Sequence, residues 1–166
     1  GSFNTANGAG SLYSNTTGNN NTANGLVSIY ANTTGNNNTA LWVASLSFNT
    51  IWNNNTAVGY ASASGLITGS NNTILGANVV ISDSNLSNNI IIADGNGNQR
   101  INVTATGNVG IGTNTPQAKL DILGNIKISD GTEWIGKFLS SDSLWIASWI
   151  TPTTSLISEG TSLYYT

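Results

Sequence analysis

The sequence predicts an all-β protein, in which a repetitive parallel β-roll or β-solenoid is followed by a smaller β-rich region. Three observations predict this fold: a strict 17-residue repeat, a polar content made mainly of Asn, Thr, Ser and Gly, and short β-branched runs after the repeat. Charged residues make up only 7% of the chain, which alone would fit disorder. The repeat and the 39% hydrophobic content argue for a folded structure instead.

The repeat is carried by the triplet Asn-Thr-Ala, which becomes Asn-Thr-Ile in its fifth copy. The triplets begin at Asn4, Asn21, Asn38, Asn55 and Asn72. A 17-residue unit is too short for a helical hairpin repeat of about 33 residues, and Asn, Gly, Thr and Ser are poor helix formers. Residues 1–82 therefore predict a β-roll whose coils contain brief strands and turns cornered by Gly or Asn.

Stacking of the coils gives the Asn residues a structural role. Stacked backbones pair at about 4.7–4.9 Å, so equivalent Asn side chains lie above one another. We expect them to form ladders in which each side-chain amide bonds the amides above and below. Leu12, Ile29 and Leu46 form an apolar column at the same period, and the period is expected to lapse from about Ile74.

Residues 83–128 predict a β-hairpin followed by a β connector. Two β-branched runs, Ile90–Ala93 and Arg100–Val103, flank the turn-forming segment Asp94–Gln99. In Gly107–Ile128, apolar residues alternate with small or polar ones, and Pro116 interrupts the pattern. This second segment predicts strand, turn and strand.

Residues 129–166 predict a β-rich, intertwined fibre or shaft segment that is truncated at its C-terminal end. Its tryptophans, Trp134, Trp145 and Trp149, are expected in the core of that small region. Each coil of the repeat contributes few apolar side chains, so a lone chain would have a thin core. Three copies around one axis would bury the apolar columns together, which favours a homotrimer.

Two parts of the repeat resemble known fibre proteins. Asn55–Gly65 (NTAVGYASASG) and the units SLYSNTTGNNNTA and SIYANTTGNNNTA are similar to repeats of phage tail fibres and bacterial surface adhesins. They also resemble the head repeats of trimeric autotransporter adhesins. The resemblance implies a trimeric left-handed parallel β-roll in a homotrimeric fibre, located outside the cell on a virion tail fibre or a bacterial surface.

Two downstream segments extend this resemblance. Gly107–Ile128 (GNVGIGTNTPQAKLDILGNIKI) resembles a segment that recurs in tail-fibre and bacterial surface proteins, and Ser158–Thr166 (SEGTSLYYT) resembles a tail-fibre shaft unit. Such proteins often end in a self-cleaving trimerisation chaperone, and no segment of this sequence resembles one. The resemblance implies neighbouring fibre domains as partners.

Composition argues against several classes of function. The chain contains no Cys and no His, which removes thiolate metal sites and the commonest general base, and we expect no cofactor. A net charge of −3 argues against nucleic-acid binding. No run approaches the ~18 apolar residues that a membrane-spanning helix needs.

Catalysis is not predicted. The acidic residues are scattered singly, except for Asp130 and Glu133, and that pair is interpreted as a solvated turn. Residues 1–82 contain no acid, which argues against a calcium-binding β-roll. The glycines of Gly107–Gly112 lack the helix that a dinucleotide-binding loop requires and are interpreted as a turn.

The third coil contains the candidate receptor-contact or interface residues. Trp42, Phe48 and Trp52 replace small or polar residues of the neighbouring coils, and both tryptophans occupy glycine columns. Aromatic side chains are good stacking platforms for sugars and frequent hot spots for protein partners. The alternative interpretation, which we favour, is that they fill a trimer core or cover a neighbouring fibre domain.

We expect a non-catalytic trimeric fibre or adhesin module that attaches to a glycan or protein on a host or prey cell. Its alternatives are a purely structural spacer, a polysaccharide-degrading tail spike, and an ice- or surface-binding solenoid. The last is suggested by a column of threonines, namely Thr5, Thr22, Thr39, Thr56 and Thr73.

Overall fold

A computed structural model describes residues 1–129, 137–141 and 147–151 of the 166-residue chain. Within these ranges the regular secondary structure consists of β-strands alone. The chain forms two compact units, Gly1–Asn125 and Ile126–Thr166. The first is a β-solenoid of about five coils with three further strands, which confirms the predicted all-β, solenoid-type fold.

The first unit is built on one nine-stranded sheet, whose strands follow one another in chain order. The strands are β1 Thr5–Asn7, β2 Thr22–Asn24, β3 Thr39–Leu41, β4 Thr56–Val58, β5 Thr73–Leu75, β6 Ile90–Ala93, β7 Gln99–Val103, β8 Val109–Ile111 and β9 Leu120–Ile122. From β1 to β6 all neighbours are parallel, and each strand pairs with the residues 17 positions further on.

Strand pairing continues beyond the point where the sequence pattern weakens. Thr73 pairs with Ile90 and Leu75 with Ile92, so β6 keeps the 17-residue register. The expectation that the period lapses from about Ile74 is therefore wrong for the backbone. The position of Ile90 is Thr in all five earlier coils, and that of Ile91 is Ala in the first four and Ile in the fifth. The backbone register tolerates these changes because it depends on main-chain hydrogen bonds.

The other side of each coil is a compact turn in which backbone φ is positive at alternate residues. In the second coil these residues are Gly25, Val27 and Ile29, with φ of 141°, 51° and 46°. The turns still pair from coil to coil: Val27 N–H donates to the carbonyl of Ala9 at 2.9 Å, and Ile29 N–H to that of Ser45 at 3.0 Å. Positive φ is unfavourable for β-branched residues, so these bonds hold the turn in place.

The core lies between the strands and the turns. From the strands it takes the middle residue, such as Ala23, Ala40 and Ile74, and from the turns it takes Ile29 and Leu46, all fully buried. Leu12, at the first coil, is nearly buried as well. Because alternate residues of a strand point to opposite faces, the flanking strand residues point outward and each coil adds little apolar volume.

Three strands close the unit. Strand β7 pairs antiparallel with β6 across the turn Asp94–Asn98, which confirms the predicted hairpin. Strand β8 then pairs antiparallel with β7, and β9 pairs parallel with β8. The predicted strand–turn–strand is thus present, although it ends at Ile122: Ile126 and Ile128 are exposed and lie outside strands.

The second unit contains one described hairpin. Strands β10 (Phe138–Ser141) and β11 (Ala147–Ile150) pair antiparallel. The indole N–H of Trp149 donates to the carbonyl of Ile128 at 3.0 Å. Trp134 and Trp145, the Asp130–Glu133 pair and the segment Ser158–Thr166 lie outside the described residues.

Candidate recognition surfaces

The inner asparagine column joins successive coils through their backbones. The Nδ2 group of Asn55 donates to the carbonyl of Gly69 at 2.8 Å, and its Oδ1 accepts the backbone N–H of Asn72 at 3.1 Å. The column comprises Asn4, Asn21, Asn38, Asn55, Asn72 and Asn89, and each member from Asn21 onward donates its backbone N–H to the Oδ1 of the Asn in the preceding coil. In this column the asparagine side chains bond mainly to backbone groups, which differs from the expected amide-to-amide ladder. The only bond between two side-chain amides described in the column runs from Asn72 to Asn55, at 3.0 Å.

Amide-to-amide ladders run instead through the outer asparagine columns. Asn19 donates to Asn36 at 3.2 Å and Asn36 to Asn53 at 3.1 Å. One position further on, Asn54 donates to Asn71 at 3.0 Å and Asn71 to Asn88 at 3.0 Å. Residues of this second column have positive φ near 60°, which Asn tolerates better than most residues. The Asn-rich runs therefore serve both the corner geometry and the contacts between coils.

Trp42 lies at the corner after β3, where neighbouring coils have glycine. Its φ is 94° and its side chain is 65% exposed. At the equivalent Gly25, φ is 141° and an added Cβ would lie 2.4 Å from the carbonyl carbon of Trp42. The corners therefore stack backbone against backbone, and the indole projects outward beside Asn24 and Leu41.

The three candidate aromatics do not converge on one site. Phe48 is 54% exposed and lines a groove on the turn side of the coils, of which neither Trp42 nor Trp52 is part. Trp52 is 36% exposed at the corner before β4, where its carbonyl accepts the side-chain amides of Asn38 and Asn49. The coil turns between these positions, so residues close in sequence face different surroundings.

The outward face of the sheet carries an unbroken apolar surface, which we term the sheet strip. In its first row Leu41 pairs with Val58, Val58 with Leu75 and Leu75 with Ile92, and the row continues into the hairpin through Ile101. Its second row starts at Ile90, which pairs with Val103. The sheet strip comprises Leu41, Val58, Leu75, Ile90, Ile92, Ile101, Val103, Val109, Ile111, Leu120 and Ile122. All are half-buried or exposed, with Leu75 at 38% and Leu120 at 57%.

A second surface feature is an aromatic groove on the turn side. Its members are Val27, Tyr30, Ala31, Ala44, Ser47, Phe48, Ala61 and Ser64, around an open volume of about 560 Å³. The Tyr30 ring stacks on that of Tyr13, with centroids 5.2 Å apart and planes 4° from parallel. Sequence reasoning missed this pair, although the signal was present: the two tyrosines are one repeat apart.

Charge is concentrated after the solenoid coils. Residues 1–82 contain no charged side chain. In the hairpin turn, Asp94 accepts hydrogen bonds from the side chain of Asn98 and from Arg100, whose Nη2 lies 2.5 Å from Asp94 Oδ2. The bonds from Asn98 and Arg100 hold the pKa of Asp94 well below its usual range. This pair fastens the turn at an exposed site.

Among the described residues, no group of three or more acidic, His or Cys side chains is placed to hold a metal ion. The same residues include no helix with the length and apolarity needed to cross a membrane. Comparisons with protein-family models, with curated proteins and with solved structures found no match to this chain.

Proposed function

We propose that the chain is a non-catalytic fibre module that assembles as a homotrimer outside the cell and attaches a virion or a bacterium to a cell-surface glycan or protein. The observation that carries this proposal is the sheet strip. It crosses seven adjacent strands, from β3 to β9, without a charged side chain. Large apolar surfaces of this kind mark interaction sites in soluble proteins.

The dimensions of the sheet strip suit association along its whole length. Seven strands spaced about 4.8 Å apart extend over about 29 Å. The strip has two apolar rows from β6 to β9 and one row from β3 to β5, where the second row is threonine. The interior of each coil is thin, since Ala23 and Ala40 are its inward strand residues. Burial of the sheet strip against identical strips would supply apolar contact that a single chain lacks.

Identical surfaces also meet without electrostatic cost. In a homo-oligomer each residue lies near copies of itself, and like charges brought together this way are destabilising. The sheet strip has none. A trimer would carry three copies of every exposed surface, and multivalent contact then raises attachment strength through avidity.

The mass of the native protein in solution tests the assembly. Light scattering should give a species near three times the 17.1 kDa chain mass. Val58→Asp, in the sheet strip, should reduce it to the monomer, because burial of a charge at the interface is costly. Thr34→Asp, at an exposed position away from the sheet strip, is the matched control and should leave the trimer intact.

Adhesion of the purified protein to intact cells tests attachment. The trimer should bind strongly and the Val58→Asp monomer weakly, because avidity requires three linked copies. A monomeric wild-type protein would contradict the trimer. A stable trimer that adheres to no cell surface would instead favour a structural spacer.

The threonine column favours one second candidate function, binding to ice or another regular surface. Thr5, Thr22, Thr39, Thr56 and Thr73 pair in parallel register on the outward face of the sheet. Strand spacing makes this column regular at about 4.8 Å. Thermal hysteresis of freezing in the presence of the protein would support this function, and its absence would exclude ice binding.

A further inference from the structure

The ring of Tyr30 has one covered face and one uncovered face. Tyr13 covers the first, at 5.2 Å and nearly parallel. The equivalent residue of the next coil is Ser47, whose side chain is too small to continue the stack. The second face of Tyr30 therefore borders the aromatic groove, and the tyrosine remains 40% exposed.

The groove is shaped for a flat apolar surface. Ala31, Ala44 and Ala61 leave its floor low, and the 54% exposed ring of Phe48 lies at its side. Its volume of about 560 Å³ falls within the range of small-molecule sites. A ring bound above Ser47 would continue the Tyr13–Tyr30 stack at the spacing of one coil.

Two hydroxyl groups of the groove are free of hydrogen bonds within the described part of the chain. Among the described residues, no hydrogen bond involves the Oγ of Ser47 or Ser64. The serines of the neighbouring buried column differ, since Ser28 donates to Gly25 O at 3.0 Å and Ser45 to Ala57 O at 2.9 Å. The groove thus combines aromatic faces with hydroxyls that can donate and accept.

The surroundings of the groove favour an uncharged ligand. No charged side chain occurs in residues 1–82, so nothing in these coils would pair with a sulfate, phosphate or carboxylate. A purely apolar partner would leave the hydroxyls of Ser47 and Ser64 unpaired, which is unfavourable. A pyranose ring satisfies both conditions, with an apolar C–H face for Tyr30 and hydroxyls at its edge.

We propose that the aromatic groove binds a neutral pyranose residue of a cell-surface glycan, stacked on the open face of Tyr30 with its hydroxyls bonded to Ser47 and Ser64. This inference rests on the proposed attachment function and names its ligand class. Phe48 borders the ligand from the side. Trp42 and Trp52 lie outside the groove and take no part in this contact.

The experiment is a binding screen of the trimer against immobilised neutral oligosaccharides of glucose, galactose, mannose and N-acetylglucosamine, with sialylated and sulfated glycans as charged comparisons. The best neutral sugar is then titrated calorimetrically. Tyr30→Ala should weaken binding about tenfold or more, since it removes the stacking face. Tyr30→Phe should retain affinity, because the ring face is kept.

Tyr60→Ala is the matched control, because Tyr60 is 54% exposed and does not line the groove. It should leave affinity unchanged, whereas Ser47→Ala with Ser64→Ala should lower it several-fold. Circular dichroism and light scattering must show each variant folded and of wild-type mass. Any variant that fails this check is replaced by Ser47→Tyr, which places a ring above Tyr30 in the groove and should block binding.

The outcomes separate this inference from the proposed function. If the trimer adheres to cells while no neutral sugar binds, or while Tyr30→Ala and Tyr60→Ala behave alike, the groove assignment is wrong and the attachment function stands. If only charged glycans bind, the assignment is also wrong. If the protein is monomeric and adheres to nothing, the attachment function itself fails.

Discussion

The inner asparagine column should carry much of the stability of the solenoid, and Asn55 is the position at which to test it. Asn55 is 1% exposed, and its Nδ2 is the only described donor to the carbonyl of Gly69. In the two preceding coils a second asparagine also donates to the equivalent carbonyl, as Asn32 does to that of Gly35. The fourth coil has Leu66 at the equivalent place, so Asn55 has no substitute there.

Replacement of Asn55 by Ala would leave two buried backbone groups without partners. These are the carbonyl of Gly69 and the N–H of Asn72, which lie 2.8 and 3.1 Å from the Asn55 amide. Each unsatisfied buried group costs about 1–3 kcal/mol, so the expected loss in free energy of unfolding is about 2–6 kcal/mol. That is a large share of the stability of a typical domain, which is about 5–15 kcal/mol.

The assay is chemical denaturation followed by circular dichroism, at one fixed protomer concentration because assembly contributes to stability. Asn24→Ala is the control: Asn24 is exposed, and its side chain accepts one bond, from Asn7 at 3.3 Å. It should change stability by less than about 0.5 kcal/mol. Hydrogen exchange should also show specific loss of protection at the Asn72 amide. Equal effects of the two substitutions would refute the reasoning.

Three further outcomes follow from the corners and the hairpin turn. Gly25→Ala should destabilise the protein by about 2–4 kcal/mol in denaturant titrations, because φ is 141° and the new Cβ would meet a carbonyl carbon at 2.4 Å. Gly95→Ala, with open space around it, should be nearly neutral. Trp42→Gly should raise the melting temperature, since it relieves a φ of 94° at little loss of burial; a lower value would show that the indole packs against a partner. Because the pKa of Asp94 is depressed by folding, its stabilising effect is present above about pH 4 and is lost as the pH falls through the lower folded-state value. Amide exchange at Asn96, which donates to Asp94, should therefore be constant, after correction for the intrinsic rate, from pH 7 to about 4; a loss of protection already near pH 5 would contradict the assignment.

The solenoid was predictable because its period is a property of the backbone path. Every coil must return to the same place after 17 residues, so buried positions such as Asn38 and Ile29 recur at that interval and are visible in the sequence. The hairpin at Asp94–Gln99 was predictable from its turn chemistry. The continued register at Ile90 was missed because the Asn-Thr pattern ends there, although Asn89 keeps the 17-residue spacing from Asn72.

The surfaces were harder to predict than the fold. Trp42, Phe48 and Trp52 are close in the sequence, but the coil changes direction between them and separates their side chains. Tyr13 and Tyr30, 17 residues apart, are in ring contact. In a solenoid, proximity follows repeat position rather than chain distance. The partners of the Asn55 amide likewise depend on which groups the neighbouring corner exposes, and sequence alone does not specify this.

The dependence of each coil on its immediate neighbours has a consequence for how such a chain can evolve. The contacts of a coil in the solenoid run to equivalent positions of the coil before and the coil after it, as with Thr22, which pairs with Thr5 and Thr39. An in-frame gain or loss of seventeen codons would therefore join matching ends, and would lengthen or shorten the rod by about 4.8 Å. The length of the solenoid can therefore change in equal steps while the contacts between the remaining coils stay the same. Its length and the side chains on its surface can then be selected independently.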